Sequence, residues 1–326
     1  MTLETFGWSE FFAARFAPYA GRGLVPGRIS AQHKDLYFAY TGDGELRAEM
    51  SGQFRFQAGE RGEFPAVGDW VALSVRPEEG AATIHAVLPR QSRFSRRAAG
   101  EKTEEQVIAS NVDIVFLVSG LDGDFNPRRI ERYLTMAWES GAEPVIVLNK
   151  ADLCADTGAR LREAERVAPG VPVLLTSAVA DDAWSALRAW IAPGRTAAFL
   201  GSSGVGKSSL INRLLGVERQ AVRDVRAGDD HGRHTTSCRS LIPLSGGGLL
   251  MDVPGMRELQ LWTAGDGFHS AFEDVQSLAA SCRFRDCSHQ GEPGCAVSSA
   301  VERGALAGDR LESYHKLRRE LRHLEI

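Results

Sequence analysis

The stretch of the chain that most restricts its possible folds is residues 201–208, which read G-x-x-x-x-G-K-S. An apolar run at 196–200 precedes it, and a run with helical spacing at 208–215 follows it. A strand, a glycine-rich loop and a helix in this order are the setting of a phosphate-binding loop. The glycines let backbone N–H groups point at phosphate oxygens, and the helix N-terminus adds a favourable dipole. The residues predicted to bind nucleotide here are Gly201, Ser202, Ser203, Gly204, Val205, Gly206, Lys207, Ser208 and Ser209.

Strands and helices alternate on the N-terminal side of this loop. Residues 111–121 form a nearly continuous apolar run, as expected of a parallel strand that is covered on both faces. The rhythm predicts a doubly wound α/β sheet with right-handed crossovers. The predicted elements are strands at 111–121, 144–148 and 171–176 and helices at 127–139, 160–168 and 182–191.

Two short motifs directly follow predicted strands and can read a purine base. Asn149-Lys150-Ala151-Asp152 follows the strand at 144–148, at the sheet edge where open α/β sheets bind ligands. The carboxylate of Asp152 can accept hydrogen bonds from N1–H and the exocyclic amine of guanine, whereas adenine lacks this donor pair. Asn149 would connect this motif to the phosphate-binding loop, and the Lys150 stem would lie against the base. Thr176-Ser177-Ala178 follows the next strand, so Ser177 and Ala178 can approach the guanine O6.

Residues in three segments are suited to contact a magnesium ion or the terminal phosphates of the nucleotide. Lys207 would place its charge at the β- and γ-phosphates, and Ser208 would offer its hydroxyl to Mg²⁺. Residues 231–237 read His-Gly-Arg-His-Thr-Thr-Ser, and a threonine there could bind Mg²⁺ only when the γ-phosphate is present. After the predicted strand end at 249–251, Asp252 can reach the Mg²⁺ shell and the Gly255 N–H can reach the γ-phosphate.

The order of these motifs along the chain is unusual for a guanine-nucleotide hydrolase. The base-reading motifs precede the phosphate-binding loop instead of following the two switch segments. The sequence therefore predicts a circularly permuted P-loop GTPase domain. Permutation is physically mild because the ends of a compact domain often lie close together.

The N-terminal third has a different pattern. Aromatic residues in the first 20 positions have the spacing of a short helix with one apolar face. Short β-like runs separated by turn residues then predict five antiparallel strands in a small closed barrel, for which an OB-fold is one solution. The predicted strands are 24–30, 36–41, 45–50, 68–75 and 83–88. Residues 89–97 hold four arginines and a phenylalanine, which suits either an RNA contact or a solvated linker.

The C-terminal segment contains a metal-binding pattern. Cys282, Cys287, His289 and Cys295 offer three thiolates and one imidazole within 14 positions. Four such ligands satisfy a closed, structural tetrahedral Zn²⁺ site. A small helical unit with a basic amphipathic helix at 306–324 surrounds them, and it needs the metal to hold a core.

The overall composition limits the kinds of partner and the cellular compartment that we expect for this chain. The 326 residues carry a net charge of −4, so any nucleic-acid contact must come from local patches. Three of the five cysteines lie in the metal-binding pattern, which favours a reducing compartment over a disulfide framework. No apolar run is long enough for a membrane span and no secretory signal is visible. We expect a cytoplasmic protein.

Together these motifs resemble the small ribosomal subunit biogenesis GTPase A family, the ribosome-dependent circularly permuted GTPases. The resemblance covers roughly residues 20 to 325 and also includes Gly68-Asp69-Trp70-Val71 and Gly232-Arg233-His234-Thr235-Thr236. It implies an OB-fold-like RNA-binding barrel with an N-terminal helix at 1–95, a permuted GTPase domain at 96–262 and a zinc-binding helical domain at 263–326. It also implies GTP hydrolysis stimulated by the 30S subunit during its late maturation, contacts to 16S rRNA, one Zn²⁺ per chain and Mg²⁺ with GTP. We expect a monomer.

The resemblance also assigns two roles in the segment at 231–237. It favours Thr236 over Thr235 as the Mg²⁺ ligand and His234 as the catalytic residue that orients the attacking water. The residue after Asp-x-x-Gly is Met256, which cannot hydrogen-bond this water usefully. Intrinsic hydrolysis should therefore be slow, and a group of the rRNA is the alternative to His234.

Two other functions remain open from the sequence. One is a passive RNA-binding protein that uses bound GTP to set its conformation and has little turnover. The other is a P-loop kinase or ATPase with a zinc module, against which the base-reading Asp152 argues.

Overall fold

The computed structural model describes residues 2–33, 36–97, 105–123, 125–177, 183–216, 239–252 and 266–322. Most of the predicted elements are present, with boundaries shifted by a few residues. The strands are β1 Val25–His33, β2 Leu36–Thr41, β3 Gly44–Met50, β4 Trp70–Arg76, β5 Ala81–Val87, β6 Arg93–Arg97, β7 Glu105–Ser110, β8 Ile114–Gly120, β9 Glu143–Asn149, β10 Val173–Leu175, β11 Thr196–Gly201, β12 Arg239–Pro243 and β13 Leu249–Asp252.

The helices follow the same order along the chain. Short 3-10 helices lie at Leu3–Phe6, Arg61–Glu63, Pro77–Glu79 and Ala151–Leu153. The α-helices are α1 Glu10–Ala20, α2 Gly52–Gln57, α3 Pro127–Ser140, α4 Thr157–Val167, α5 Ala183–Arg188, α6 Lys207–Leu215, α7 Asp266–Ala271, α8 Glu273–Ala279, α9 Ala296–Glu302 and α10 Gly308–Arg322. In this part of the chain, no helix combines the length and the hydrophobicity that a bilayer crossing needs.

The first five strands close into a barrel, because β1 pairs with β4 as well as with β2. The buried indole of Trp70, the first residue of β4, packs against the N-terminal segment and α1. Its ring centroid lies 4.7 Å from that of Trp8 and 5.7 Å from that of Phe12. The prediction of purely antiparallel strands was wrong at one pair: β3 and β5 run parallel. The reason is topological, since β4 lies between them in sequence but pairs on the far side of β5.

The second half of the sheet is the predicted doubly wound α/β layer. Its order is β10-β9-β8-β11-β13-β12, and only β12 runs antiparallel to its neighbour. Side chains of β8 alternate between two buried clusters. Ile114 and Phe116 pack on the side of α5 and α6, whereas Val115 and Leu117 pack on the side of α3 and α4. The continuous apolar run is thus explained by burial on both faces.

The barrel and the α/β layer share one sheet, because β1 pairs antiparallel with β12. A buried arginine adds a second connection. Arg28 donates to the carbonyl oxygens of Gly68 at 3.1 Å and Asn111 at 2.8 Å, and also to that of Phe6. Burial lowers the pKa of Arg28 to about 10, so the guanidinium still carries its charge at neutral pH. Gly68 has φ +93°, and a Cβ there would lie 2.1 Å from the carbonyl oxygen of Ser110, so no side chain fits at this contact.

The basic stretch at 89–97 is more ordered than a linker. Its second half is β6, which pairs with β7 in a separate two-stranded ribbon that the sequence did not predict. Arg90 lies inside the structure, where its guanidinium binds both carboxylate oxygens of the fully buried Asp69 at 2.8 Å. Arg93 pairs with Glu105 at 3.5 Å. Arg90 therefore has a structural role, and only the other arginines of this stretch remain candidates for an RNA contact.

Candidate functional site

The phosphate-binding loop lies between β11 and α6, as the motif predicts. Gly206 has φ +97°, and a Cβ there would lie 2.2 Å from the side-chain nitrogen of Asn149. Glycine is required here because this contact leaves no room for a side chain. The ammonium of Lys207 is buried and donates to the carbonyl oxygens of Gly201, at 2.5 Å, and of Ser202. It lies within the curl of the loop, where phosphate oxygens would compete for its hydrogen bonds.

The base-reading motif is bonded directly to this loop. Asn149 is fully buried at the end of β9, and its amide donates to the carbonyl oxygen of Val205 at 2.8 Å. Thr176, directly after β10, donates to the amide oxygen of Asn149 at 3.3 Å. One side chain at the end of β9 therefore links the residue after β10 to the loop after β11, so the predicted base and phosphate contacts lie on the same edge of the sheet.

Two carboxylates order the loops around the predicted base position. The Ser177 hydroxyl donates to Asp152 Oδ1 at 2.5 Å, which ties the loop after β10 to the motif after β9. Lys150 has a left-handed backbone with φ 63°, and its ammonium pairs with Asp122 in the loop after β8. Sequence reasoning missed Asp122, because an aspartate after a strand gains meaning only from the neighbour that the fold provides.

The predicted magnesium ligands are partly described. Ser208 and Ser209 lie exposed in the first turn of α6, as do Ser203 and Gly204 in the loop before it. Asp252 ends β13, the strand next to β11. Four predicted site residues lie outside the described residues: Ala178, His234, Thr236 and Gly255.

One helix outside the motifs also reaches the phosphate-binding loop. The guanidinium of Arg129, in the first turn of α3, donates to the hydroxyl of Ser202. The phenol of Tyr133, one turn further along, lies 3.3 Å from the same hydroxyl oxygen. The sequence offered only a weak signal for this pair, an arginine and a tyrosine four positions apart on a helix next to the nucleotide edge.

The four predicted zinc ligands converge in the C-terminal region. Their ligand atoms all lie within 4.8 Å of one another. Cys282 Sγ is 3.7 Å from His289 Nδ1 and 3.9 Å from Cys295 Sγ, and Cys295 Sγ is 3.5 Å from His289 Nδ1. Thiolates held at about 2.3 Å around a tetrahedral zinc ion lie about 3.8 Å apart, so these spacings fit a single metal ion.

The surroundings of the cluster affect its ligands differently. Burial raises the pKa of Cys287 to about 12, so a metal ion that binds there must first displace a proton from the thiol. Burial is also the main reason that the pKa of His289 is lowered, which favours the neutral imidazole that binds metals. Cys295 caps α9, and its sulfur accepts hydrogen bonds from the N–H and the hydroxyl of Ser298, both at 3.3 Å. The site can hold one metal ion.

A buried ion network attaches this region to the α/β layer. Arg310 of α10 pairs with Glu131 of α3 at 2.7 Å and with Asp274 of α8 at 2.9 Å. Two further pairs join the same two helices, the exposed Arg128–Glu312 at 2.5 Å and the partly buried Arg132–Glu320 at 2.9 Å. Burial raises the pKa of Glu131 despite this partner, whereas the two acidic partners raise the pKa of Arg310 against the effect of its burial. The stability of the network therefore depends more on the charge of Arg310 than on the charge of Glu131.

Replacing Arg310 with Ala is expected to lower the free energy of unfolding by about 3–5 kcal/mol, because it leaves a buried carboxylate without its partner. Glu131→Gln keeps the shape and is expected to cost less than about 1 kcal/mol. Because the pKa of Glu131 is raised in the folded state, its stabilising contribution is lost as the pH rises through that pKa. Glu131→Gln should therefore gain stability relative to the parent between acid and neutral pH. Urea unfolding at several pH values measures both effects, and equal losses for the two variants would contradict this account.

The fold and the site define a circularly permuted P-loop GTPase with an N-terminal five-stranded barrel and a C-terminal Cys₃His cluster. The model of the RsgA GTPase family matches residues 87–262. The small ribosomal subunit biogenesis GTPase RsgA of Opitutus terrae is 48% identical over 329 residues, covering 98% of this chain and 90% of the relative. The protein of the same name from Streptomyces coelicolor is 44% identical, covering 98% and 86%. The chain belongs to the RsgA GTPase family.

Solved structures agree with this assignment. YjeQ from Thermotoga maritima superimposes with a TM-score of 0.70 at 28% identity, covering 91% of this chain and 98% of that chain. YloQ, described as a circularly permuted GTPase, shares the fold with a TM-score of 0.66 at 24% identity, covering 92% and 96%. Because the chain belongs to a family of GTPases, it is a hydrolase that acts on GTP, and the kinase or ATPase alternative is set aside.

Proposed function

We propose that this GTPase is a cytoplasmic factor for late maturation of the 30S ribosomal subunit, and that the 30S subunit stimulates its hydrolysis of GTP. Two relatives that cover nearly the whole chain are named small ribosomal subunit biogenesis GTPases. In this chain itself, the observation that carries the GTP-binding part of the proposal is the Asn149–Val205 hydrogen bond, which joins the predicted base and phosphate contacts into one site. In this site Ser208, Thr236 and Asp252 would hold the Mg²⁺ ion that accompanies GTP.

The remaining parts of the chain would serve recognition. The five-stranded barrel and the C-terminal region would contact 16S rRNA, and the Cys₃His cluster would hold one structural Zn²⁺. The chain would act as a monomer. Met256 follows the Asp-x-x-Gly segment, so His234 is the proposed residue that orients the attacking water.

GTP turnover of the purified protein, measured alone, with 30S subunits and with 50S subunits, tests the proposal. We expect slow intrinsic turnover and strong stimulation by 30S subunits only. His234→Ala should then lose most of the stimulated rate while retaining nucleotide binding. If 30S subunits do not change the rate of GTP turnover, the proposed ribosomal function is wrong. If the protein binds 30S subunits but turns over little GTP, a passive RNA-binding role is favoured.

A further inference from the structure

We propose that Arg129 is a positioning residue of the phosphate-binding loop and that it acts through the hydroxyl of Ser202. The inference rests on the proposed guanine-nucleotide site. Arg129 belongs to none of the nucleotide motifs and precedes Ser202 by 73 residues in the chain. Only the fold brings the two together, since β8, which leads into α3, lies beside β11, which leads into the loop.

The start of α3 fixes where Arg129 points. Asn126 caps the helix, and its side-chain oxygen accepts hydrogen bonds from the backbone N–H groups of Arg128 at 3.0 Å and Arg129 at 3.3 Å. Pro127 then occupies the first helical position, where its fixed φ suits the helix. Tyr133 lies four residues after Arg129 and therefore on the same helix face. The capped first turn thus orients Arg129, the next turn supplies Tyr133, and both polar groups reach one hydroxyl.

Ser202 is held from two sides by two cations. Lys207 donates to its carbonyl oxygen from within the loop, and Arg129 donates to its hydroxyl from α3. If the ammonium of Lys207 turns toward a phosphate, its bond to Ser202 is lost, while the bond from Arg129 does not depend on that ammonium. Arg129 would then keep the first turn of the loop in place. Hydrogen-bond donors that are already oriented need no rearrangement when a phosphate group binds. A loop whose donors are held in place therefore binds phosphate more strongly.

The test compares single and double variants of this pair. Dissociation constants for a fluorescent GDP and a fluorescent non-hydrolysable GTP analogue, together with the intrinsic hydrolysis rate at saturating GTP, are measured for Arg129→Ala, Ser202→Ala and the double variant. We expect each single variant to weaken nucleotide binding by roughly ten- to a hundredfold, as for a lost hydrogen bond to a charged group. The double variant should be no weaker than the more affected single one, because both remove the same bond.

Two further variants separate positioning from a general structural effect. Arg129→Lys keeps a cationic donor and should restore part of the affinity lost in Arg129→Ala. Arg132 lies on the same helix and pairs with Glu320, so Arg132→Ala removes an equal charge and should bind nucleotide like the parent. Thermal melting checks that each variant is folded. If Arg129→Ala does not fold, Ser202→Ala and Arg129→Lys still test the same bond.

The outcomes distinguish this inference from the proposed site. Parent-like binding by Arg129→Ala, or losses that simply add in the double variant, would overturn the role of Arg129 while leaving the nucleotide site intact. Failure of the parent protein to bind guanine nucleotides would overturn the site itself and the inference with it.

Discussion

Replacing Asp152 with Asn is expected to lower the affinity for GTP by at least about a hundredfold and to create affinity for xanthosine triphosphate. A carboxylate accepts from the two guanine donors, whereas an asparagine amide has one acceptor and one donor group. The Ser177 hydroxyl donates to Asp152 Oδ1 at 2.5 Å and should hold the amide oxygen of the variant in the same place. The amide NH₂ group would then face the base. Two donors would meet where guanine has its exocyclic amine, whereas the oxygen that xanthine has at this position can accept a hydrogen bond from the amide.

Titration of GTP, xanthosine triphosphate and ATP into the parent and the variant measures this switch. Ser177→Ala is the matched control, because it removes the orienting hydroxyl and leaves the carboxylate. It should weaken GTP binding without admitting xanthosine triphosphate. Equal binding of ATP and GTP by the parent, or no gain of xanthosine triphosphate in Asp152→Asn, would show that Asp152 does not read the base.

Removing the metal from the Cys₃His cluster is expected to unfold the C-terminal region around it. Structural zinc sites contribute roughly 10 kcal/mol or more to the domains that they hold together. Here Cys287 and Cys295 are themselves buried core residues, so ligand loss also opens the packing around them. Cys287→Ser, or a strong chelator, should remove about one zinc ion per chain and reduce the helical signal from residues 266–322.

Metal analysis by mass spectrometry and circular dichroism at 222 nm measure the two effects together. Cys154→Ser is the control, because Cys154 is a cysteine outside the cluster. It should retain the full metal content and helical signal. A protein that contains no zinc after purification in metal-replete medium, or one whose helices survive complete chelation, would contradict the structural role.

Much of the arrangement of the candidate site was predictable because its signals are local. The phosphate-binding loop, the motif at Asn149 and the cysteine cluster each combine a few residue types within a short stretch, and their chemistry allows few other uses. The strands were predictable for a similar reason, since burial on one or both faces leaves a periodic or continuous apolar pattern.

The missed features depend on contacts between distant segments. The parallel pairing of β3 and β5 follows from strand order, which no local pattern records. The ion pair of Arg90 depends on the buried Asp69, and the hydrogen bond of Arg129 depends on the position of Ser202. The sequence left Arg90 in a stretch that suited an RNA contact or a solvated linker, and it gave Arg129 no assignment. Only the fold shows which charges have partners inside.

The pairing of β12 with β1 has a consequence for how the chain can be divided. The pairing joins Ala31 to Ser240 and Gln32 to Arg239, and the phenol of Tyr40 donates to the carbonyl oxygen of Leu241 at 3.1 Å. The barrel therefore covers an outer edge of the α/β sheet whose N–H and C=O groups would otherwise offer a template for aggregation. A GTPase fragment cut free near residue 95 would expose that edge. The N-terminal barrel thus also covers this strand edge, and a fragment without the barrel is expected to aggregate more readily than the whole chain.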